Sequence, residues 1–148
     1  MFRQSFERVY LKFKLNFYKK IFKRFETREA SLTAVETFCV EVIHSLLNPT
    51  INEFAKFVEI SQANAAYKVH SLVKKGYITK VRSDEDKREF RLSVTDKFFT
   101  YYDISSGYIQ EVMNRVGERF TPEELKVFEQ ILSTIEKELM PEADLKKY

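Results

Sequence analysis

The sequence predicts a mainly α-helical protein of the α+β class, a winged helix-turn-helix with long helices on both sides of it. Two capping boxes within residues 33–53 open two successive helices. A further helix follows Ser61 and stops at Gly76. The segments 77–82 and 89–94 then flank an entirely polar hexapeptide, as two strands flank the tip of a hairpin. Helices and hairpin in this order are typical of the winged helix-turn-helix.

Length and composition indicate one ordinary globular domain. The chain has 148 residues, of which 44% are hydrophobic and 32% charged, values that exclude disordered and collagen-like classes. No apolar run approaches the roughly 20 residues of a membrane span, and charges interrupt the N-terminal segment, so we expect a cytoplasmic protein. The single cysteine, Cys39, excludes an internal disulfide and a cysteine-based metal site.

Charge is distributed unevenly along the chain. The net charge is only +3, but residues 1–25 carry eight Lys or Arg against one acid, and residues 61–82 carry five without any acid. The segments 26–60 and 95–148 are both acidic overall. Two basic islands in an otherwise acidic protein produce local fields that the net charge hides.

The first two helices are predicted from apolar periodicity and caps. An apolar stripe over Phe2–Phe25 comprises Phe2, Phe6, Val9, Phe13, Phe17 and Ile21. The second helix begins at the capping box of Thr33 and Glu36 and ends before Asn48-Pro49, because proline disfavours its continuation. Its apolar positions are Val35, Phe38, Cys39, Val42 and Leu46.

The next two helices are short and close together. Thr50 and Glu53 form the second capping box, and the buried side of this helix is predicted to be Ile51, Phe54, Ala55 and Val58. The helix after Ser61 has the predicted inward positions Ala65, Val69, Leu72 and Val73. Two short helices with few residues between them indicate a helix-turn-helix.

Two further helices follow the hairpin. Thr95 opens a long aromatic-rich helix that extends to about Val116, with an interruption predicted at Gly107. The segment 121–124, Thr-Pro-Glu-Glu, combines a cap, a proline at the first helical position and a reciprocal Glu at the third. The last helix fades near Pro141 and carries on one face Leu125, Phe128, Ile131, Leu132 and Ile135.

This order of elements resembles the MarR family of bacterial transcription regulators over nearly the whole chain. Ser61-Gln62, Val69, Leu72 and Lys75-Gly76-Tyr77-Ile78 are similar to the recognition helix of that family and the segment that leaves it. Asp86-Lys87-Arg88 is similar to the wing signature Asp-Arg-Arg, and Ser93-Val94-Thr95 lies where the family usually has a Leu-Thr pair. The chain departs from the family at Phe98, where the family often has Gly. It departs again at Ala66-Tyr67, where the family usually has a hydroxyl residue followed by Arg.

The resemblance implies a homodimer that binds double-stranded DNA and regulates transcription, more often as a repressor than as an activator, without a cofactor. Within a single domain, 1–148, residues 32–94 would form the DNA-binding winged helix-turn-helix. Residues 1–31 and 95–148 would form the helical dimerisation part. In many members of the family, a small aromatic or amphipathic effector binds between these two parts and releases the DNA.

The residues expected at the DNA begin with the helix after Ser61. Helical spacing turns outward Gln62, Asn64, Tyr67, Lys68 and Ser71, beside Ser61 and Lys74. Gln and Asn suit bidentate pairing with adenine, and Lys suits guanine or phosphate. Tyr67 could stack on a sugar or contact a thymine methyl. The alternative is a plain solvated helix face, which the absence of acids disfavours.

The polar hairpin tip supplies Asp86, Lys87 and Arg88 as further DNA-binding candidates. We expect Arg88 in the minor groove, with Asp86 holding its guanidinium by a charge-assisted hydrogen bond. The alternative is an exposed ion pair worth at most about 1 kcal/mol. Because Asp84 and Glu85 repel phosphate, the contact is expected to be narrow.

Other aromatic and reactive side chains have two interpretations each. The candidates for an effector pocket are Phe38, Phe98, Tyr101 and Tyr102, although filling of a dimer core is favoured for the aromatic residues of the long helix. Cys39 is interpreted as a buried structural thiol rather than a redox sensor. His44 and His70 lack partners at ligand spacing, so no metal site is predicted.

A second class of function remains open for the basic N-terminal helix. Its apolar stripe and many lysines also suit an interfacial membrane helix, so the alternative is an architectural or membrane-peripheral interaction protein. The preferred interpretation buries the stripe against the acidic C-terminal helices of a second copy. The sequence contains no nucleophile elbow, phosphate loop, metal quartet or acid pair in a plausible cleft, so no enzyme is predicted.

Overall fold

The computed structural model describes residues 1–26 and 32–143, without the side chains of 24–26 and 100–105. The helices of the described part are α1 (Phe2–Glu26), α2 (Ala34–Ser45), α3 (Ile51–Val58), α4 (Gln62–Lys74), α5 (Asp96–Arg119) and α6 (Pro122–Glu138). Between α4 and α5 lie the strands β1 (Ile78–Arg82) and β2 (Phe90–Val94), and a short 3-10 turn, Pro141–Ala143, follows α6. The predicted fold class, mainly α with a winged helix-turn-helix, is confirmed.

The helices begin where the capping residues predict. Complete capping boxes, in which the cap and the Glu three residues later exchange hydrogen bonds, are present at Thr33, Thr50 and Thr121. Ser61 caps α4 by accepting a hydrogen bond from the N–H of Asn64 at 3.1 Å. Gly76 follows α4 with a φ of +84°, a left-handed conformation that glycine adopts without a steric penalty.

The predicted interruption at Gly107 was wrong, because α5 runs unbroken from Asp96 to Arg119. One glycine inside a helix costs only about 1 kcal/mol relative to alanine, which tertiary packing can offset. The packing is visible beside Gly107, where Tyr108 meets Phe13 of α1 edge to face at 5.7 Å between ring centroids. Contact with α1 therefore supports α5 at this position.

The hairpin is joined to the helices that precede it. β1 and β2 are antiparallel, with Ile78 opposite Val94 and Arg82 opposite Phe90. On the outer side of β2, the N–H of Leu92 donates to the carbonyl oxygen of Pro49 at 2.8 Å, immediately before α3. The wing is thus fixed to the helix-turn-helix by backbone hydrogen bonds.

The hydrophobic core lies between α2, α3, α4, the hairpin and the start of α5. Its fully buried side chains include Val40, Phe54, Ala65, Val69, Leu72, Tyr77, Leu92 and Phe98. The predicted face of α2 was partly wrong, because the helix buries Val40 and Ile43, whereas Val35 and Phe38 remain substantially exposed. Phe38 instead lies 6.2 Å from Phe17 of α1, measured between ring centroids.

Helices α1 and α6 lie outside this core. Of the described side chains of α1, only Ile21 is buried, and α6 buries none. Large apolar side chains are therefore exposed along both helices. In the described part of the chain, no helix combines the length and the apolar character needed to cross a membrane.

The carboxylate of Glu36 connects α2 to α4. It accepts hydrogen bonds from the Ser71 hydroxyl at 2.7 Å, the Lys75 ammonium at 2.7 Å and the Thr33 N–H at 2.9 Å. Partial burial alone would raise the pKa of this carboxyl. The hydrogen bonds from Lys75, Ser71 and Thr33, together with the charge of Lys75, outweigh burial and lower the pKa from 4.5 to about 2.

Substitution of Glu36 by Gln is expected to lower the free energy of unfolding by about 1–3 kcal/mol near pH 7, because charge-assisted hydrogen bonds are lost. The pKa is depressed in the folded state, so the stabilisation is complete above the unfolded value of 4.5 and is lost as the pH falls towards 2. Urea unfolding across this range should show the two proteins converging in acid.

The matched control is Glu118→Gln, which removes an exposed carboxylate from α5. This variant should unfold like the parent protein at every pH. A Glu36→Gln protein as stable as the parent near neutral pH would contradict the assigned role of Glu36.

Candidate nucleic-acid interface

Helix α4 presents a polar face to solvent. Tyr67 is 76% exposed, and the exposed positions beside it are Gln62, Asn64, His70 and Lys74. The opposite side of the helix buries Ala65, Val69 and Leu72 in the core. Since α4 contains no acid, this face carries no negative charge that would repel a polyanion.

Two of the residues expected on this face lie elsewhere. Ser71 and Lys68 are only partly exposed, since α2 packs against their side of α4, and Ser71 donates its hydroxyl hydrogen to Glu36. The prediction that these two side chains point outward was therefore wrong. His70 was not among the predicted residues, although it lies between Tyr67 and Lys74 on one helical stripe. A helical wheel centred on Tyr67 would have found it.

The start of α4 and the base of the wing meet. Gln62 and Arg88 line the same open cavity of about 200 Å³, together with Thr50 and Phe90. Ser61, Asn64 and Lys87 are exposed in the same part of the chain. The structure thus brings Gln62 of α4 and Arg88 of the wing together, where a single ligand could contact both.

The wing contains the expected contact between Asp86 and Arg88. The backbone N–H of Arg88 donates to Asp86 Oδ1 at 2.9 Å, and its Nε donates to the same oxygen at 3.4 Å. The Arg88 side chain is 92% exposed, so the other guanidinium donors face solvent. Asp86 therefore orients the guanidinium without covering it.

Cys39 is buried, as predicted, with 7% of its surface exposed. Burial raises the pKa of the Cys39 thiol, and the nearby charge of Lys68 only partly opposes this effect. Because the thiolate is the reactive form, both accessibility and ionisation disfavour reaction at this sulfur.

Of the residues proposed for an effector pocket, the two whose side chains are described, Phe38 and Phe98, lie in different surroundings. Phe98 is fully buried in the core, where its ring lies 5.0 Å from that of His44. Phe38 lines a small cavity of about 210 Å³ with Cys39 and Lys68. The side chains of Tyr101 and Tyr102 lie outside the described residues. A separate cavity of about 260 Å³ lies between α1, α2 and α5.

Comparison with known proteins agrees with this geometry. Residues 32–90 match the model of the MarR family, whereas no curated protein matches the chain. FabT of Streptococcus pneumoniae, solved in complex with DNA, is 18% identical, with a TM-score of 0.59 over 94% of this chain and 97% of its own. A MarR family protein from Bacillus stearothermophilus is 15% identical, with a TM-score of 0.67 over 94% and 93% of the two chains.

A third similar structure is S. aureus MepR bound to ethidium bromide. It is 14% identical, with a TM-score of 0.61 over 94% of this chain and 96% of its own. At such identities, likeness to these three structures establishes a shared fold along nearly the whole chain. The match of residues 32–90 to the family model covers α2, the helix-turn-helix and the hairpin as far as Phe90.

Cys39 should react with a thiol reagent such as Ellman's reagent at least about 100-fold more slowly in the native protein than in denaturant, because exposure of the buried thiol requires opening of the structure. The absorbance of the released thionitrobenzoate follows both reactions. Comparable rates in the two conditions would show that the thiol is accessible, contrary to the packing of α2.

Proposed function

We propose that the protein is a DNA-binding transcriptional regulator of the MarR family, and specifically a homodimeric repressor of an inverted-repeat operator, because residues 32–90 match the model of that family. The observation that carries this proposal is the exposed, acid-free face of α4 beside Arg88. The similar structures of FabT with DNA and of a MepR mutant bound to an oligodeoxyribonucleotide also support it.

In the proposed complex, α4 lies in the major groove and the wing beside it. Gln62, Asn64 and Tyr67 face base edges, and Lys74 meets the phosphate backbone. The first N–H groups of α4, next to Ser61, favour a phosphate near the helix start. Lys87 neutralises a further phosphate, and Arg88 enters the minor groove. Such a protein acts in the cytoplasm, where bacterial DNA lies.

Helices α1 and α6 are proposed to form the dimer interface. In α6, the exposed apolar side chains are Val127, Phe128, Ile131 and Leu132. Exposed apolar surface on this scale marks an interaction site in a protein of this size. The basic α1 and the acidic α6 are also complementary in charge, which favours their contact across two copies. Two copies of α4 would then meet successive major grooves, about 34 Å apart.

Release by an effector completes the proposed function. The cavity between α1, α2 and α5 adjoins α2, the helix whose Glu36 holds α4 through Ser71 and Lys75. A ligand that binds one arrangement of α1, α2 and α5 better than another would shift the position of α4. DNA affinity would change with it.

Substitution of Arg88 by Ala is expected to weaken binding to the operator by at least about fivefold, because a charge-assisted contact to DNA is lost. The melting temperature should not fall, since the side chain is exposed. Electrophoretic mobility shift with DNA from the promoter of its own gene, and with random DNA of equal length, measures both affinity and selectivity.

Arg119→Ala provides the matched control, because it removes an equally basic, exposed residue from the end of α5, away from α4. This variant should bind like the parent protein. An Arg88→Ala protein with full affinity would contradict the role of the wing. Failure of the parent protein to bind any duplex at low salt would contradict the proposed function.

Ile131→Asp should convert the dimer into monomers and weaken DNA binding, because it buries a charge in the proposed α6 interface. Analytical ultracentrifugation gives the mass of each form. The control is Leu47→Asp at an exposed apolar residue between α2 and α3, which should remain dimeric. A monomeric parent protein, or strong flotation of the parent with anionic liposomes, would instead favour the membrane-peripheral alternative for α1.

A further inference from the structure

We propose that Arg91 is a positioning residue, which together with Glu53 holds the wing at the spacing from α4 that a DNA duplex requires. This inference rests on the proposed function and adds to it a residue that acts on DNA binding without contacting DNA. Arg91 lies on β2, three residues after Arg88, and Glu53 lies in the first turn of α3. The ion pair between them therefore joins the wing to the helix-turn-helix.

The guanidinium of Arg91 contacts two parts of the segment that leads into α3. Its Nη1 donates to the Asn48 carbonyl oxygen at 3.3 Å and to both carboxylate oxygens of Glu53 at 3.4 Å. Asn48 and the preceding Leu47 have left-handed backbone conformations, with φ angles of +62° and +56°. Non-glycine residues keep this conformation only where their surroundings hold them in it. Arg91 supplies such a contact from the wing.

Backbone pairing brings the same two segments together. Thr50, the cap of α3, forms an isolated antiparallel bridge with Arg91, and the N–H of Leu92 donates to the Pro49 carbonyl oxygen at 2.8 Å. So short a pairing can act as a hinge, because it fixes the two segments along one line only. A side chain stands roughly perpendicular to its strand, so the contacts of the Arg91 guanidinium restrict rotation about that line.

This junction lies between the two surfaces that are proposed to meet DNA. The start of α3 lines an open cavity together with Gln62 of α4 and Arg88 of the wing. A duplex that contacts α4 and the wing at once must meet them at one fixed spacing. A wing that is already held at this spacing loses less conformational freedom on binding, which favours affinity.

Two other roles for Arg91 agree less well with these contacts. Direct binding to DNA is disfavoured, because the guanidinium is already paired with Glu53 and with a backbone carbonyl. A purely stabilising ion pair is also disfavoured, since pairs that remain partly exposed contribute little to the free energy of unfolding. The capping box does not need the ion pair, because Glu and Gln both serve at the third helical position.

Glu53→Gln tests the proposal, since it removes the ion pair and leaves an oxygen that can accept from the Thr50 N–H. Electrostatics alone predict tighter DNA binding when an acid is removed, whereas loss of positioning predicts weaker binding. We expect affinity for DNA from the promoter of its own gene to fall about threefold, measured by fluorescence anisotropy. The matched control is Glu59→Gln at the end of α3, which should bind at least as tightly as the parent protein.

Combination with Arg88→Ala separates an effect on the wing from a general loss of binding. If Glu53 acts by placing the wing, Glu53→Gln should no longer weaken binding once Arg88 is absent. Equal weakening in the parent and in the Arg88→Ala background would overturn the proposal. Tighter binding by Glu53→Gln would also overturn it, because that result would indicate that Arg91, once released, binds DNA directly.

Hydrogen exchange in the free protein provides a measurement that does not depend on DNA. The Leu92 N–H should exchange at least about fivefold faster in Glu53→Gln than in the parent, while the N–H of Val69 in α4 keeps its parental rate. An unchanged rate at Leu92 would overturn the proposal. A parent protein that binds no duplex contradicts the proposed function itself. A parent that binds DNA no more tightly than Glu53→Gln contradicts only the role of Arg91.

Discussion

The hydrogen bonds of the Glu36 carboxylate to Ser71 and Lys75 determine how α4 is presented. These hydrogen bonds hold α4 on the side that faces α2 and at its C-terminal end. From the start of α5, the hydroxyl of Thr95 donates to the carbonyl oxygen of Gly76 at 2.6 Å, and Lys97 donates to that of Lys75 at 3.0 Å. The C-terminal end of α4 is thus held by both α2 and the start of α5, while its outward face stays open to solvent.

This arrangement separates cations with a structural role from those available to a partner. Lys75 is neutralised by Glu36, Lys97 caps a carbonyl, and Arg91 meets Glu53 at 3.4 Å. Lys74 and Lys87 are exposed on the α4 and wing surface. Arg88 is also available, because its contact with Asp86 leaves 92% of its side chain exposed. Since exposed charges steer a charged partner over long range and paired ones do so weakly, the second group dominates the field that DNA would meet. Within the helix-turn-helix and wing, the available positive charge therefore lies on the α4 and wing surface, whereas α1 carries a second set of basic residues.

Features set by local chemistry could be predicted from the sequence, and features set by packing could not. The caps at Thr33, Thr50 and Thr121 and the turn at Gly76 depend on neighbouring residues alone, so the order of elements follows from them. The buried face of α2 could not be predicted in this way. Apolar residues occupy most of the circumference of this helix, and tertiary contacts determine which of them are buried. Ser71 was misplaced for a similar reason, since its partner Glu36 is 35 residues away in sequence. The cavity of α1, α2 and α5 depends on three distant segments.

We propose that the exposed face of α4, with the wing beside it, is the surface that meets DNA. Backbone amide NMR spectra of the protein, recorded during titration with operator duplex at low ionic strength, test it most directly. The largest shift changes are expected within residues 61–74 and 86–88. Changes concentrated in the basic helix α1, or spectra that do not respond to any duplex, would contradict it.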